Sequence, residues 1–201
     1  MTFRSERYPI LAGYLQRLPS GIDSYPRCQA KCSLLKAVLA ECSSGGDTDG
    51  LHEELRVLLE DPPPPSTWIP EVHSVAAHFA LMDIYGIDDD AMLRITYTSN
   101  RKLAESRMYR ALAKVSSPGM LVKGASMSWG FIHKGSTLHT ETLPEGVMMT
   151  LRHPAHVYTN LGHRSVARGF TAALEASNAE NPKVDLLLST HEEAKLRVSW
   201  D

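Results

Sequence analysis

The sequence predicts an α+β protein in which a helical N-terminal half packs on a C-terminal antiparallel β-β-α-β-β unit. Three observations carry that expectation. Strand-type alternation recurs in two blocks, Thr137–His153 and Val184–Trp200, each long enough for two strands. Between the blocks Val166, Phe170, Ala173 and Leu174 recur at helical spacing, while Arg164, Arg168, Glu175 and Asn178 take other angles. Ahead of them, apolar residues repeat every three or four positions between Pro- and Gly-rich breaks. We expect a single domain of 201 residues, with a helical part at 1–133, a Pro-rich linker at 61–66 and the β-β-α-β-β part at 134–201.

In chain order, Leu18-Pro-Ser-Gly21 and Ser24-Tyr-Pro26 carry turn chemistry around a short helix at Leu11–Leu18. Cys28, Cys32, Leu35, Leu39 and Cys42 trace one apolar stripe, which predicts a helix over Cys28–Glu41. Ser43–Gly50 reads as a loop. Leu51, Leu55, Leu58 and Leu59 then form a second short helix, ended by Asp61 and four prolines that lack helical donors. Val72, Val75, Ala76, Phe79 and Met82 share a face of a third helix that stops at Gly86. Asp88, Asp89 and Asp90 stand where negative charge favours a helix start, ahead of Ala91, Met92 and Ile95. Leu103, Arg107, Arg110 and Lys114 continue helical character until Ser116-Ser-Pro-Gly119, and a further helix runs from Pro118 towards His133. Leu143-Pro-Glu-Gly146 turns the first hairpin and Ser189-Thr-His-Glu-Glu193 the second.

Composition narrows the function. With 43% hydrophobic residues and a formal net charge of −2, the chain has the make-up of an ordinary globular protein. Its Lys and Arg are scattered, so no basic footprint for nucleic acid is present. No apolar run reaches the roughly 20 residues that cross a bilayer, and no signal-type segment follows Met1, so we expect a cytoplasmic protein. Three cysteines do not make a disulfide framework, and Cys28, Cys32 and Cys42 read as packing residues.

Candidate chemistry is sparse. P-loop, dinucleotide and Gly-x-Ser-x-Gly fingerprints are absent, and catalytic residues are not expected. The triple aspartate lacks the spacing of a calcium loop and reads as a helix cap. His133, His139, His153, His156, His163 and His191 crowd the last third, and His153-Pro-Ala-His156 offers two ligands to a zinc ion. However, Pro154 breaks the regular spacing that such a pair needs, and we expect no metal and no cofactor. Trp129, Met127, Phe131 and Met149 form a soft, aromatic set suited to lining an apolar pocket, and these four are the candidate ligand-binding residues.

The run from Ser117-Pro-Gly-Met-Leu to Trp129-Gly-Phe-Ile-His-Lys-Gly135, the hairpin, the helix Gly162–Ser177 and the ending Ala194-Lys-Leu-Arg-Val-Ser-Trp200 together resemble a ligand-binding superfamily. It includes four-vinyl-reductase-type, haem nitric-oxide-binding and trafficking-particle subunits. More closely, the whole chain resembles a myxobacterial paralogous family of unknown function. The resemblance implies helices on an antiparallel sheet, frequent dimerisation, and binding of small molecules or proteins, with enzymatic activity uncommon. Tyr97-Thr-Ser-Asn-Arg101 also matches the Tyr-x-Ser-x-Arg signature by which haem nitric-oxide-binding proteins hold haem propionates, and His73 or His78 would then be the axial ligand. In that family only the final helix and strands follow the signature, whereas here half of the chain does. An ordinary helical surface is therefore the preferred reading of Tyr97–Arg101.

The expected function is a non-enzymatic regulatory or sensory domain, binding a small apolar ligand or a protein partner as a homodimer. A dimeric adaptor and a haem- or metal-dependent sensor or enzyme are the alternatives.

Overall fold

The computed structural model describes residues 3–42, 46–105, 118–177 and 179–201. The architecture is α+β, with helices over the N-terminal half and a four-stranded antiparallel sheet carrying one helix at the C-terminal end. Among the described residues the α-helices are α1 (Pro9–Leu15), α2 (Cys32–Leu39), α3 (Glu53–Glu60), α4 (Glu71–Tyr85), α5 (Asp89–Glu105), α6 (Pro118–Ile132) and α7 (Asn160–Ala176). The strands are β1 (Gln29–Lys31), β2 (Trp68–Pro70), β3 (His133–Lys134), β4 (Thr137–Leu143), β5 (Gly146–Arg152), β6 (Lys183–Ser189) and β7 (Glu193–Ser199). The expected helical continuation through Arg107, Arg110 and Lys114 lies outside the described residues.

Local chemistry sets most of the helix ends. Pro9 opens α1, where a missing amide hydrogen is harmless, and the Asp83 carboxylate of α4 accepts from Ile10 N at 3.1 Å and Leu11 N at 2.9 Å. One side chain thus caps α1 and pins it to α4. Gly86, at φ +60°, ends α4 in the left-handed conformation that glycine adopts without strain, and Ile87 N returns to the Met82 carbonyl. Asp88 accepts from Ala91 N at 2.8 Å at the start of α5, and Thr159 accepts from Gly162 N at the start of α7.

The helix expected over Cys28–Glu41 is corrected at its start. Gln29–Lys31 is a strand, and the helix begins at Cys32. The reason is tertiary: β1 pairs antiparallel with β2, through Ala30 opposite Ile69, and with β3, through Ala30 opposite His133. Three short segments from distant parts of the chain make this small sheet, in the order β2-β1-β3. Cys28 and Cys32 are buried free thiols, and burial pushes the Cys28 thiol up to about 12. The proline run joins α3 to β2, with the Pro62 carbonyl accepting from Lys36 Nζ and the Pro65 carbonyl from Ser33 N.

The larger sheet has the order β4-β5-β7-β6, every neighbour antiparallel. Val147, Met149 and Leu151 of β5 and Ala194, Leu196 and Val198 of β7 face the core, while the edge strands β4 and β6 are more polar. A register shift between Leu186 and Leu188 turns Leu187 and Leu188 outward. Gly146 follows the first hairpin turn at φ +126°, and a Cβ there would lie 2.1 Å from the Val198 carbonyl oxygen. Gly146→Ala is therefore expected to destabilise the protein by at least about 2 kcal/mol, through a disallowed φ and a backbone clash. Calorimetry would show a lowered melting midpoint, and an unchanged midpoint would refute the steric argument.

Candidate ligand cleft and the buried polar chain beside it

Six side chains from α4, β3, the loop after β5, α7 and β6 form a polar chain through the interior. Glu71, the first residue of α4, is 2% exposed, and its carboxylate lies 2.9 Å from His133 Nδ1 in β3. The Tyr158 hydroxyl, on the loop between β5 and α7, bonds the same carboxylate and lies 3.4 Å from His133 Nδ1. Burial, with the Glu71 charge second, raises Tyr158 well above its ordinary value and keeps the phenol a donor. Trp129 stacks on the His133 ring at 3.9 Å between centroids and donates Nε1–H to Ser136 Oγ at 3.0 Å. The pair is thereby clamped between an aromatic face and a phenol.

His153 continues the chain with its ring edge-on to Tyr158, 5.0 Å between centroids. From there the hydrogen bonds dictate the tautomers. The Pro154 carbonyl can only accept, so His153 Nδ1, at 3.0 Å, carries a proton, and Nε2 of a neutral ring must accept. His163 Nε2–H therefore donates to His153 Nε2 at 2.9 Å, and His163 Nδ1 accepts the Ser189 hydroxyl at 2.8 Å. His163 is fully buried, and that burial, with the neighbouring His153 second, pushes it down to about 4; His153 is lowered by burial too. The sequence hydroxyl, imidazole, imidazole has the order of nucleophile, base and orienter, but a base at about 4 has little power near neutrality. This chain is a cross-link between elements, joining α7 to β6 and, through the 153–159 loop, to β3 and α4.

Beside the cross-link lies an open cleft of about 200 Å³ bounded by α5, α7 and β6. Its floor is Leu93 and Ala167, both buried, and its wall is Val184 and Leu186, both half-exposed. Arg164, Arg168 and Thr171 line the α7 side at one-turn spacing. A second cleft of about 330 Å³ opens by the first hairpin turn, at Pro144, Gly146 and Trp200.

The four sequence-predicted ligand residues do not gather at either cleft. Trp129 and Met149 lie in the core, whereas Met127 is 76% and Phe131 70% exposed on the outer side of α6. Neither pattern nor propensity could assign α6 its inward face, because apolar residues surround it. The polar chain was missed as a chain, although His163 falls on the apolar stripe of α7 and Glu71 heads a helix whose next turns are apolar. A polar residue on a buried stripe was the signal available.

Three more histidines make contacts away from this polar chain and one bonds within its own helix. His156 stacks on His191, and His73 bonds the Ile22 backbone. His78 donates Nδ1–H to the Ser74 carbonyl at 2.7 Å. Among the described residues no three His, Cys, Asp or Glu side chains converge on a point that could hold a metal ion. No helix of the described chain is long and apolar enough to cross a membrane. Tyr97 and Arg101 stand one turn apart on α5 and hydrogen-bond each other, Tyr97 also donating to Glu175 and Arg101 pairing with Glu105, while buried Ser99 donates to the Thr96 carbonyl. Each of the three is thus engaged within the chain.

No family model matches this sequence, and no curated protein matches it. Solved structures do. An oxygen-binding H-NOX domain related to soluble guanylate cyclases, in its oxygen complex, superposes with a TM-score of 0.60 at 8% identity, covering 84% of this chain and 92% of that one. An Fe(II) unliganded H-NOX mutant from K. algicida gives 0.55 at 14% identity, covering 85% and 96%. A structure described for haem redox modulation through porphyrin distortion gives 0.59 at 9% identity, covering 85% and 99%. In architecture this chain is similar to H-NOX domains, and at these identities the likeness is one of fold.

Proposed function

We propose that this protein is a sensory ligand-binding domain built on the H-NOX type of fold. The observation that carries the reading is the cleft of α5, α7 and β6, an apolar floor with a basic rim, set against a buried cross-link between two of its walls. A ligand entering the cleft presses on α7 and β6, which His163 and Ser189 tie together. Any change in their separation loads the chain that runs through His153 and Tyr158 to His133 and Glu71, and so reaches the helical half. Coupling of this kind needs a ligand that prefers one of two arrangements, not a catalytic group.

Haem is the second reading, and the fold neighbours favour it, since they are described as haem- and oxygen-binding domains. A haem site needs an uncommitted imidazole nitrogen and a slot beside it wide enough for a macrocycle. His78 has the right ring pattern, with Nδ1–H on a backbone carbonyl and Nε2 carrying no bond among the described residues. Neither cleft is lined by His78 or by any other histidine, and Tyr97 and Arg101 are engaged with each other, with Glu175 and with Glu105. The described residues do not fit haem in this arrangement.

Native mass spectrometry and a visible spectrum of the freshly purified protein test both readings. We expect a retained small-molecule adduct and no Soret band, before or after incubation with hemin. A Soret band that His78→Ala abolishes would replace the first reading with the second.

A further inference from the structure

We propose that the cleft of α5, α7 and β6 takes a small amphipathic monocarboxylate, with its anionic end on Arg168 and its apolar body on Leu93, Val184 and Leu186. The inference rests on the ligand-binding reading and names the class of ligand. Arg164 and Arg168 stand one turn apart on the same side of α7, yet they are differently committed. Arg164 is held by Asp90 at 3.0 Å and Asp89 at 3.5 Å. Arg168 is exposed and has no hydrogen bond or ion pair among the described residues, so its fork of donors is free for an incoming carboxylate.

The rest of the cleft selects the body and the charge. Leu93 and Ala167 are desolvated already, and the half-exposed Val184 and Leu186 gain by being covered. Thr171 Oγ1 donates to the Ala167 carbonyl at 3.1 Å, so it presents only lone pairs to the cleft and repels a carboxylate placed at its end. That leaves Arg168 as the anionic anchor. Asp89 and Asp90 at the Arg164 rim disfavour a second negative charge, which separates monocarboxylates from dicarboxylates. A volume of about 200 Å³ falls below that of drug-sized pockets and suits a single ring or a short alkyl chain.

The experiment is an amide NMR titration of the full chain with benzoate and hexanoate, run beside benzyl alcohol, hexanol and succinate. Saturable shifts centred on residues 164–171 and 184–186 are expected for the two monocarboxylates, with the alcohols and the dicarboxylate much weaker. Arg168→Gln should weaken benzoate and hexanoate about tenfold, the usual scale of one charge-assisted bond. Thr171→Leu, which fills the cleft while keeping every charge, should abolish the shifts, with circular dichroism confirming that both variants fold. Equal affinity in Arg168→Gln, equal response to the alcohols, or shifts centred elsewhere would overturn the assignment. An adduct in the native mass spectrum, with residues 164–171 and 184–186 unmoved by monocarboxylates, would overturn the carboxylate class alone. The absence of both would remove the ligand-binding reading with it.

Discussion

Glu71→Ala is expected to destabilise the protein by about 2–5 kcal/mol, because it leaves two buried polar groups without their partner at about 1–3 kcal/mol each. Two donors lose their acceptor at once, because His133 Nδ1 and the Tyr158 hydroxyl both address the Glu71 carboxylate. Neither can readily turn to water: His133 is buried under the Trp129 ring, and Tyr158 is 5% exposed. The damage should reach both α4 and the small sheet, since Glu71 begins α4 and His133 begins β3, which β1 pairs with. Glu71→Gln keeps one carbonyl acceptor and should lose distinctly less. Urea unfolding followed by tryptophan fluorescence measures both, and an alanine variant within about 1 kcal/mol of the native protein would show that the carboxylate does not hold the junction.

Acid is the second large effect. His163 sits at about 4 in the folded protein against an ordinary 6.5, so the unfolded chain binds the extra proton first as pH falls. The stability contributed by neutral, buried His163 is therefore complete above about 6.5, declines from there to about 4, and does not fall further below. At about 1.4 kcal/mol per pH unit, the gap amounts to roughly 3 kcal/mol. His153, also lowered by burial, pulls in the same direction. His163→Gln removes the titrating group, so the difference in stability between native protein and variant should shrink across that window. A difference that stays constant from pH 7.5 to 4 would mean that His163 is protonated as easily in the fold as outside it.

These two effects arise at residues whose identity was visible and whose partners were not. The hairpin turn at Leu143–Gly146, the stop at Gly86, the cap at Asp88 and the helix from Pro118 were legible, because each depends on neighbours within a few residues. The start of the second helix was misread for the opposite reason. Cys28 to Lys31 carries a plausible helical stripe, and only the distant Trp68–Pro70 and His133–Lys134 segments draw its backbone into a ladder. The candidate site divides the same way. Arg164 and Arg168 were recognisable as the polar side of a helix, but the cleft exists only where α5 and β6 meet that side. Met127 and Phe131 looked equivalent to Trp129 in type, and packing put them on opposite sides of α6.

By itself, the sequence determined the α+β class, the order of the elements from Thr137 onward and the antiparallel hairpins, because periodicity and turn chemistry act over short distances. The tertiary structure alone decided that Glu71, His133, Tyr158, His153, His163 and Ser189 join into one chain, that Arg168 has no partner among the described residues, and that β1 is a strand. Hydrogen bonds and clefts between elements depend on how those elements pack, and no local pattern encodes the distance between residues a hundred positions apart.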